Sequence, residues 1–241
     1  MRRFLILSKA NMLINIRNTT TLFWNFAFPI ALVLLYGVIW AEQIAWLAVG
    51  ILVLNLMSSG LLGDSSRLTN MRERGILRRV QSTPLPAWQL IASYVLARLA
   101  LVLAQCAAIV AAAALVYRAE FRWGGLLAAA PLALAGGLVF LLIGQLISAV
   151  APTSGAAGAI GQAIYFPLMF VSDLLVPIGM LPGWLSGVTR WTPATMLVDL
   201  VRPALLPVPA AQPAAVNLAG LAAYGVLALV LAARWFRWEQ R

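Results

Sequence analysis

Long apolar runs without a charged residue constrain this chain more than any other feature. The run from Ile44 to Leu62 and the run over residues 124–150 contain no Asp, Glu, Lys or Arg. A bilayer core of roughly 30 Å is crossed by about 20 helical residues, so each run is long enough to span it. Inside lipid the backbone must satisfy its own hydrogen bonds, which favours helices. The sequence therefore predicts an all-α integral membrane protein.

Six such segments follow one another along the chain. We predict spans at about residues 22–40, 44–62, 88–117, 124–150, 156–177 and 214–233. Only 10% of the 241 residues are charged, whereas a soluble domain carries about 25%. The gaps between spans are short, so we expect one transmembrane permease domain over residues 1–241 and no second folded domain.

The basic residues indicate the topology. Of the 17 Lys and Arg residues, twelve fall in segments on one predicted side of the membrane and four on the other, while Arg98 lies inside a span. By the positive-inside rule, both termini are cytoplasmic and the protein lies in the cell (inner) membrane. The net charge of +10 does not indicate a nucleic-acid partner, because the arginines sit in the gaps between apolar runs. The partner that this pattern predicts is the lipid bilayer.

Three further features refine this topology. Residues 1 to about 21 mix basic, apolar and regularly spaced polar residues, which predicts an interfacial amphipathic helix. Between Pro177 and Pro213 seven prolines occur in an apolar stretch, which predicts an outer re-entrant segment of short helices between spans five and six; a mobile outer cap is the open alternative. Tryptophans near span ends predict aromatic belts: Trp24, Trp40, Trp46, Trp88, Trp123 and Trp235.

The residues that are missing exclude several kinds of chemistry. The sequence has no histidine, and its single cysteine, Cys106, lies in an apolar run. Its single lysine, Lys9, is not in a Gly-rich context that could form a P-loop. We therefore expect no catalytic site, no metal site and no cofactor in this chain, so that it is not an enzyme.

The polar segment over residues 64–84, between the second and third spans, is the strongest functional signal. It holds five arginines against Asp64 and Glu73, and a less polar stripe of Leu68, Met71 and Gly75 at helical spacing. A basic loop that touches anionic lipid would account for the arginines. The stripe instead favours a cytoplasmic helix that docks on another protein.

The segment also resembles a known family. The run from Arg72 to Pro86 (RERGILRRVQSTPLP) is similar to the cytoplasmic coupling element of type-2 ATP-binding-cassette (ABC) exporter permeases. The runs at 166–177, 181–184 and 190–193 resemble the fifth span and outer segment of that family, and 17–18 and 23–29 resemble its start. Two positions depart from the family pattern: Asp173 stands where the drug-resistance branch has a small neutral residue, and Ile76 replaces a Thr or Ser.

The resemblance implies the transmembrane subunit of an ABC exporter. Its pathway would carry a hydrophobic or amphipathic substrate, such as a drug, a lipid or a lipid-linked glycan. Its partners would be an ABC ATPase subunit, which binds ATP and Mg²⁺, and a second permease copy (a homodimer) or a similar permease. A stand-alone secondary carrier or channel is the alternative. The implied ATPase-coupling interface comprises Arg72, Glu73, Arg74, Gly75, Ile76, Leu77 and Arg78, with Glu73 meeting a cation on the ATPase.

Polar residues inside the predicted spans are candidates for the pathway, because each is costly in hydrocarbon unless it is paired or faces a cavity. These candidates are Asn25, Asn55, Gln105, Gln145 and Gln162. Interhelical hydrogen bonding is the alternative for each of them. Arg98 lies roughly 15 Å into its span, so snorkelling or an ion pair within the bundle is expected, and Asp173 is a poor match in depth. Gly155, Gly158 and Gly161 predict a close helix contact.

Overall fold

The computed structural model describes residues 17, 19–76 and 87–235, and every regular element in these ranges is helical. The predicted amphipathic helix at the N-terminus lies mostly outside the described residues. The α-helices are α1 (Thr19–Ile39), α2 (Ile44–Ser58), α3 (Ser65–Glu73), α4 (Ala87–Tyr117), α5 (Leu126–Val150), α6 (Ser154–Val171), α7 (Gly183–Thr189), α8 (Pro193–Leu205) and α9 (Ala214–Trp235). A π-helical segment, Ser59–Asp64, joins α2 to α3 without a break.

Five helical stretches in the described ranges are long and apolar enough to cross a membrane. They are Ala41–Glu73, Ser93–Tyr117, Trp123–Val150, Ser154–Val171 and Ala214–Trp235. The apolar part of α1, Asn25–Ile39, is shorter, so the count of six spans stays a prediction. Leucine, alanine, valine and isoleucine dominate all these stretches, and their backbone bonds close within each helix, as a lipid environment requires.

Two boundaries differ from the sequence prediction. The second apolar helix does not end at Leu62 but continues to Glu73, because the π-helical segment carries the backbone through Gly60 and Gly63. The fifth apolar helix ends at Val171 rather than near Pro177, since Ser172 adopts an extended conformation. The first of these differences changes the depth at which Asp64 lies.

The core is built around α2. Within the apolar window of the Ala41–Glu73 stretch, 83% of the residues are buried, against 17% for α6 and 22% for α9. Helices α1, α4, α5 and α8 pack around α2, and α9 lies on the far side of α5. The outer helices turn large apolar side chains away from the bundle, among them Val38, Leu115, Leu127, Phe166, Val226 and Val230. Such faces suit contact with lipid chains.

Short helices fill the stretch between α6 and α9, as predicted, although their depth in a membrane stays a prediction. Helix α8 is part of the core, with Ala194, Leu197 and Val201 fully buried, which disfavours a mobile cap. Arg202 ties α8 to the end of α6: its Nη1 lies 2.5 Å from Asp173 Oδ2, and its guanidinium carbon lies 3.8 Å from the centroid of the Trp46 ring. Trp46 therefore packs against α8, and its place in an aromatic belt stays a prediction.

Candidate functional site

Helices α5 and α6 both approach the π-helical segment closely. A Cβ atom on Gly144 of α5 would lie 2.1 Å from the carbonyl oxygen of Gly60, and one on Gly161 of α6 would lie 2.3 Å from that of Leu61. Only glycine allows backbones to approach this closely. The predicted close contact of the α6 glycines is thus a contact within the bundle at Gly161. It holds α5 and α6 directly against the segment that leads into α3.

A buried ion pair lies at the end of the same segment. Arg98 Nε donates to Asp64 Oδ2 at 3.1 Å, and both side chains are less than a tenth exposed. The hydroxyl of Tyr94 also donates to Asp64. This pair resolves the alternatives for Arg98 in favour of an ion pair within the bundle. The prediction that Asp64 belongs to the polar coupling segment is wrong, because the longer helix places it in the interior.

One face of α3 packs on the end of α5. Ser65, Thr69 and Arg72 lie on this face, at helical spacing, and all three are buried. Thr69 Oγ1 donates to Ser148 Oγ at 2.9 Å, and Arg72 Nη1 donates to the carbonyl oxygen of Ser148 at 3.0 Å. Arg72 Nη2 also donates to the carbonyl oxygen of Ala151. Helix α3 is therefore fixed to the bundle along one side.

The other side of α3 is half-buried, and exposed residues follow directly after the helix. Arg74 and Ile76 are exposed, and Gly75 has a positive φ of 65°, the left-handed conformation that ends a helix. Among the described residues, a Cβ atom on Gly75 would meet nothing within 4 Å. Leu77 and Arg78, the last two residues of the predicted interface, lie outside the described residues. The open part of the predicted interface is thus Arg74, Gly75 and Ile76.

Arg72 and Glu73 require a correction. Both were predicted to face a partner protein, and Glu73 to meet a cation there. Arg72 is instead buried under α5, and both carboxylate oxygens of Glu73 accept hydrogen bonds of 2.8 Å from Ser154, one from the backbone N–H and one from the hydroxyl. The backbone bond and then the side-chain bond lower the pKa of Glu73 below its ordinary value of 4.5. Arg72 is therefore turned away from any partner, whereas Glu73 is half-buried and its contact with a partner stays a prediction.

The predicted pathway residues differ in how far they are buried. Asn55 Nδ2 donates to Gln105 Oε1 at 3.0 Å, and both residues are buried, so these two form the interhelical hydrogen bond that was the alternative. Asn25 and Gln145 are half-buried. Gln162 is exposed on α6. Of the predicted set, Gln162 is the one that a passing molecule or a second chain reaches most easily.

A cavity lies at the end of the bundle away from α3, and its polar side chains are hydrogen-bonded within the protein. It measures about 230 Å³ and lies between α8 and the loops on either side. Asp199 accepts hydrogen bonds from the backbone of Ala211 and Gln212 and from Asn217, while Asp173 binds Arg202. These bonds pin the loops. In the described part of the chain, no three His, Cys, Asp or Glu side chains come together as a metal site.

Sequence reasoning missed the links that join distant parts of the chain: Glu73 to Ser154, Arg72 to Ser148, and Asp64 to Arg98. The signal that could have found two of them is the order of the residues. Helix α3 ends with a base, Arg72, followed by an acid, Glu73. The turn between α5 and α6 that they contact presents the carbonyl groups of α5 and then the N–H groups of α6, which is the matching order.

The fold is that of a helical membrane protein with several apolar helices, and Arg74 and Ile76 are exposed just past the end of α3. The sequence profile of the ABC-2 type transporter family matches residues 2–206. The chain belongs to the ABC-2 type transporter family, and it is a non-catalytic transmembrane permease subunit.

Three relatives share the name Nodulation protein J. The protein from Rhizobium meliloti (strain 1021) is 28% identical over 116 residues, which cover 48% of this chain and 44% of the relative. That from Rhizobium leguminosarum bv. trifolii is 32% identical over 97 residues, 40% of this chain and 36% of the relative. The protein from Rhizobium leguminosarum bv. viciae is 29% identical over 91 residues, which cover 38% of this chain and 35% of the relative. The match spans less than half the length of each relative.

Proposed function

We propose that this chain is the membrane subunit of an exporter that is driven by a separate ABC ATPase subunit. The observation that carries the proposal is the two-sided arrangement of α3. One side of α3 is bonded to the end of α5 and the start of α6, and Arg74 and Ile76, just past the end of the helix, are exposed. A helix that is bonded to the bundle and followed by exposed residues suits the transfer of motion from a bound partner.

The docking surface that we propose is Arg74, Gly75 and Ile76, continued by Leu77 and Arg78. An exposed arginine beside an exposed apolar side chain is a composition typical of protein interfaces. ATP and Mg²⁺ bind to the ATPase in this proposal. This chain contributes the pathway and the mechanical link.

A second permease, either another copy or a similar chain, covers α6 in our proposal. Gly155, Ala159 and Ala163 are exposed and four residues apart, on the side of α6 opposite buried Ala157 and Gly161. Such small residues let two membrane helices approach closely. The core around α2 is packed, so the pathway is proposed to lie between the two permeases.

The substrate class follows from that face of α6. Its exposed residues are small or apolar apart from Gln162, and none of its residues is charged. A face of this kind suits a molecule with a large apolar part, so we propose a hydrophobic or amphipathic cargo: a drug, a lipid or a lipid-linked glycan. The α3 end carries most of the arginines, and we therefore place it, with both termini, on the cytoplasmic side of the inner membrane.

Transport by inverted membrane vesicles tests the proposal. The chain is co-expressed with a candidate ABC ATPase from the same genome, and uptake of a fluorescent drug, a labelled lipid and a labelled lipid-linked glycan is measured with and without ATP. We expect one of the three to accumulate only when ATP and both subunits are present. Accumulation by the chain alone, driven by a proton or sodium gradient, would instead establish the stand-alone carrier.

A further inference from the structure

The turn between α5 and α6, residues 151–153, brings two helix ends together beside α3. Helix α5 ends at Val150, and α6 begins at Ser154 after the cap residue Thr153. The last carbonyl groups and the first N–H groups of any helix have no partner inside that helix. The hydroxyl of Thr153 accepts from the N–H of Ala156 and so satisfies one of these groups. Two neighbouring residues of α3 satisfy others.

Arg72 binds the carbonyl end of α5. Its guanidinium donates to the carbonyl oxygens of Ser148 and Ala151, at the last turn of the helix and just beyond it. The C-terminal end of a helix carries partial negative charge, so a cation there is stabilised. The arginine is buried, and its planar group joins two carbonyls at once.

Glu73 binds the N–H end of α6. Both of its oxygens accept from Ser154, at the positive end of the helix dipole. The acid and the base are adjacent in sequence, and each meets the helix end of opposite partial charge. Exchanging the two charges would place each beside a helix end of like sign.

We propose that Arg72 and Glu73 form a clamp that makes α5 and α6 move with the docking segment when the ATPase acts on it. This inference rests on the proposed function. Arg72 and Glu73 are positioning residues in this account, since they touch neither the ATPase nor the cargo. Without the clamp, a pull on α3 would still reach α2, with which it is continuous, but would reach α6 only through the packing at Gly158 and Gly161, with no polar link at the first turn of α6.

Two variants each remove the contact between Glu73 and Ser154, one by changing the acceptor and the other by changing the donors. Glu73→Ala removes the acceptor. Ser154→Pro removes both donors, and proline is tolerated at the first position of a helix. Thr153, which precedes it, has ψ of 160°, as a residue before proline requires. Glu42→Ala changes an exposed acid in the turn between α1 and α2 and is the matched control.

The coupling ratio, transported substrate per ATP hydrolysed, is measured in vesicles that contain both subunits. We expect Glu73→Ala and Ser154→Pro each to lower it by about fivefold or more, the lower bound of typical coupling between sites, with normal yield of the complex. The double variant is expected to be no worse than either single variant, because both remove one contact. A wild-type ratio in both single variants would overturn the clamp, as would a loss of complex yield in Glu73→Ala alone.

A covalent replacement provides a second test, and its first readout, the oxidation rate, needs no ATPase. A Cβ atom on Gly158 would lie 3.4 Å from Ser66 Oγ, so Ser66→Cys with Gly158→Cys, in a Cys106→Ala background, places two thiols in reach across α3 and α6. We expect copper phenanthroline to oxidise this pair more slowly once Glu73→Ala is added, and the formed disulfide to restore the coupling ratio. An unchanged oxidation rate, or a formed disulfide that restores nothing, would refute the clamp even if ATP-driven transport is established.

Discussion

Breaking the ion pair between Arg98 and Asp64 tests the interior of the bundle. In the variant Arg98→Met, Asp64 keeps the Tyr94 hydroxyl but loses its cation in a site that is less than a tenth exposed. Removing one partner of a buried pair costs about 3–5 kcal/mol. For a chain of this size each kcal/mol corresponds to roughly 2–4 °C in melting temperature, so we expect a fall of about 6–20 °C.

Matched variants separate the cost of an unpaired buried charge from the loss of a hydrogen bond and from the loss of an exposed arginine. The double variant Asp64→Asn with Arg98→Met removes both charges and should recover most of the loss, because no unpaired charge is left. Asn55→Leu removes an interhelical hydrogen bond worth about 0.6 kcal/mol and should shift the melting temperature by roughly 1–3 °C. Arg122→Met removes an exposed arginine and should shift it by less than about 2 °C.

The assay is thermal unfolding of the purified chain in detergent, followed by a cysteine-reactive dye or by loss of monodispersity. A shift below about 2 °C for Arg98→Met would refute the reasoning, because it would mean that Asp64 is not left as an unpaired buried charge. A double variant whose loss of stability equals the sum of the losses in Asp64→Asn and Arg98→Met would refute it as well, since the effects of independent sites add.

Three further predictions concern other parts of the chain. The hydrogen bonds from Ser154 lower the pKa of Glu73 below 4.5, so their contribution to stability is present above that pH and is lost as the pH falls through the lower folded-state pKa. The difference in melting temperature between wild type and Glu73→Ala should therefore be constant above about pH 6 and should shrink toward zero at acid pH. A difference that grows at acid pH would contradict this. Gly161→Ala should destabilise by about 1–3 kcal/mol, because its Cβ would meet Leu61, whereas Gly187→Ala, with open space around it, should not; equal melting temperatures would be the contrary result. In a Cys106→Ala background, a membrane-impermeant thiol reagent applied to intact cells should label Ala210→Cys and not Asn70→Cys, and the reverse pattern would invert the topology.

The sequence was sufficient for the class of fold because hydropathy is a local property. An apolar run such as Ile44–Leu62 identifies a membrane helix from its own residues alone. The end of that helix was misplaced because a π-helical segment has no clear signal in composition. Since Gly60, Gly63 and Asp64 resemble a loop, the continuous helix through them could not be predicted.

The candidate site was predicted in position and only partly in role. The segment that ends in Arg74 and Ile76 was found from its charge and its family resemblance, and the structure leaves these two residues exposed. The inward roles of Arg72 and Glu73 depend on partners about 80 residues further along, and the order of the two charges does not by itself identify those partners. The same limit applies to Asn55 and Gln105, whose pairing was one of two open alternatives.

The central claim is that the end of α3 docks on a separate ATPase. Site-specific photo-crosslinking tests it most directly: p-benzoylphenylalanine replaces Arg74 or Ile76 in one set of cells, and Glu42 or Ala210 in another, with the ATPase co-expressed. The account predicts a crosslinked product containing the ATPase from positions 74 and 76 and none from 42 or 210. ATPase captured from 42 or 210, or no capture from 74 and 76 in cells whose vesicles still show ATP-driven export, would contradict it.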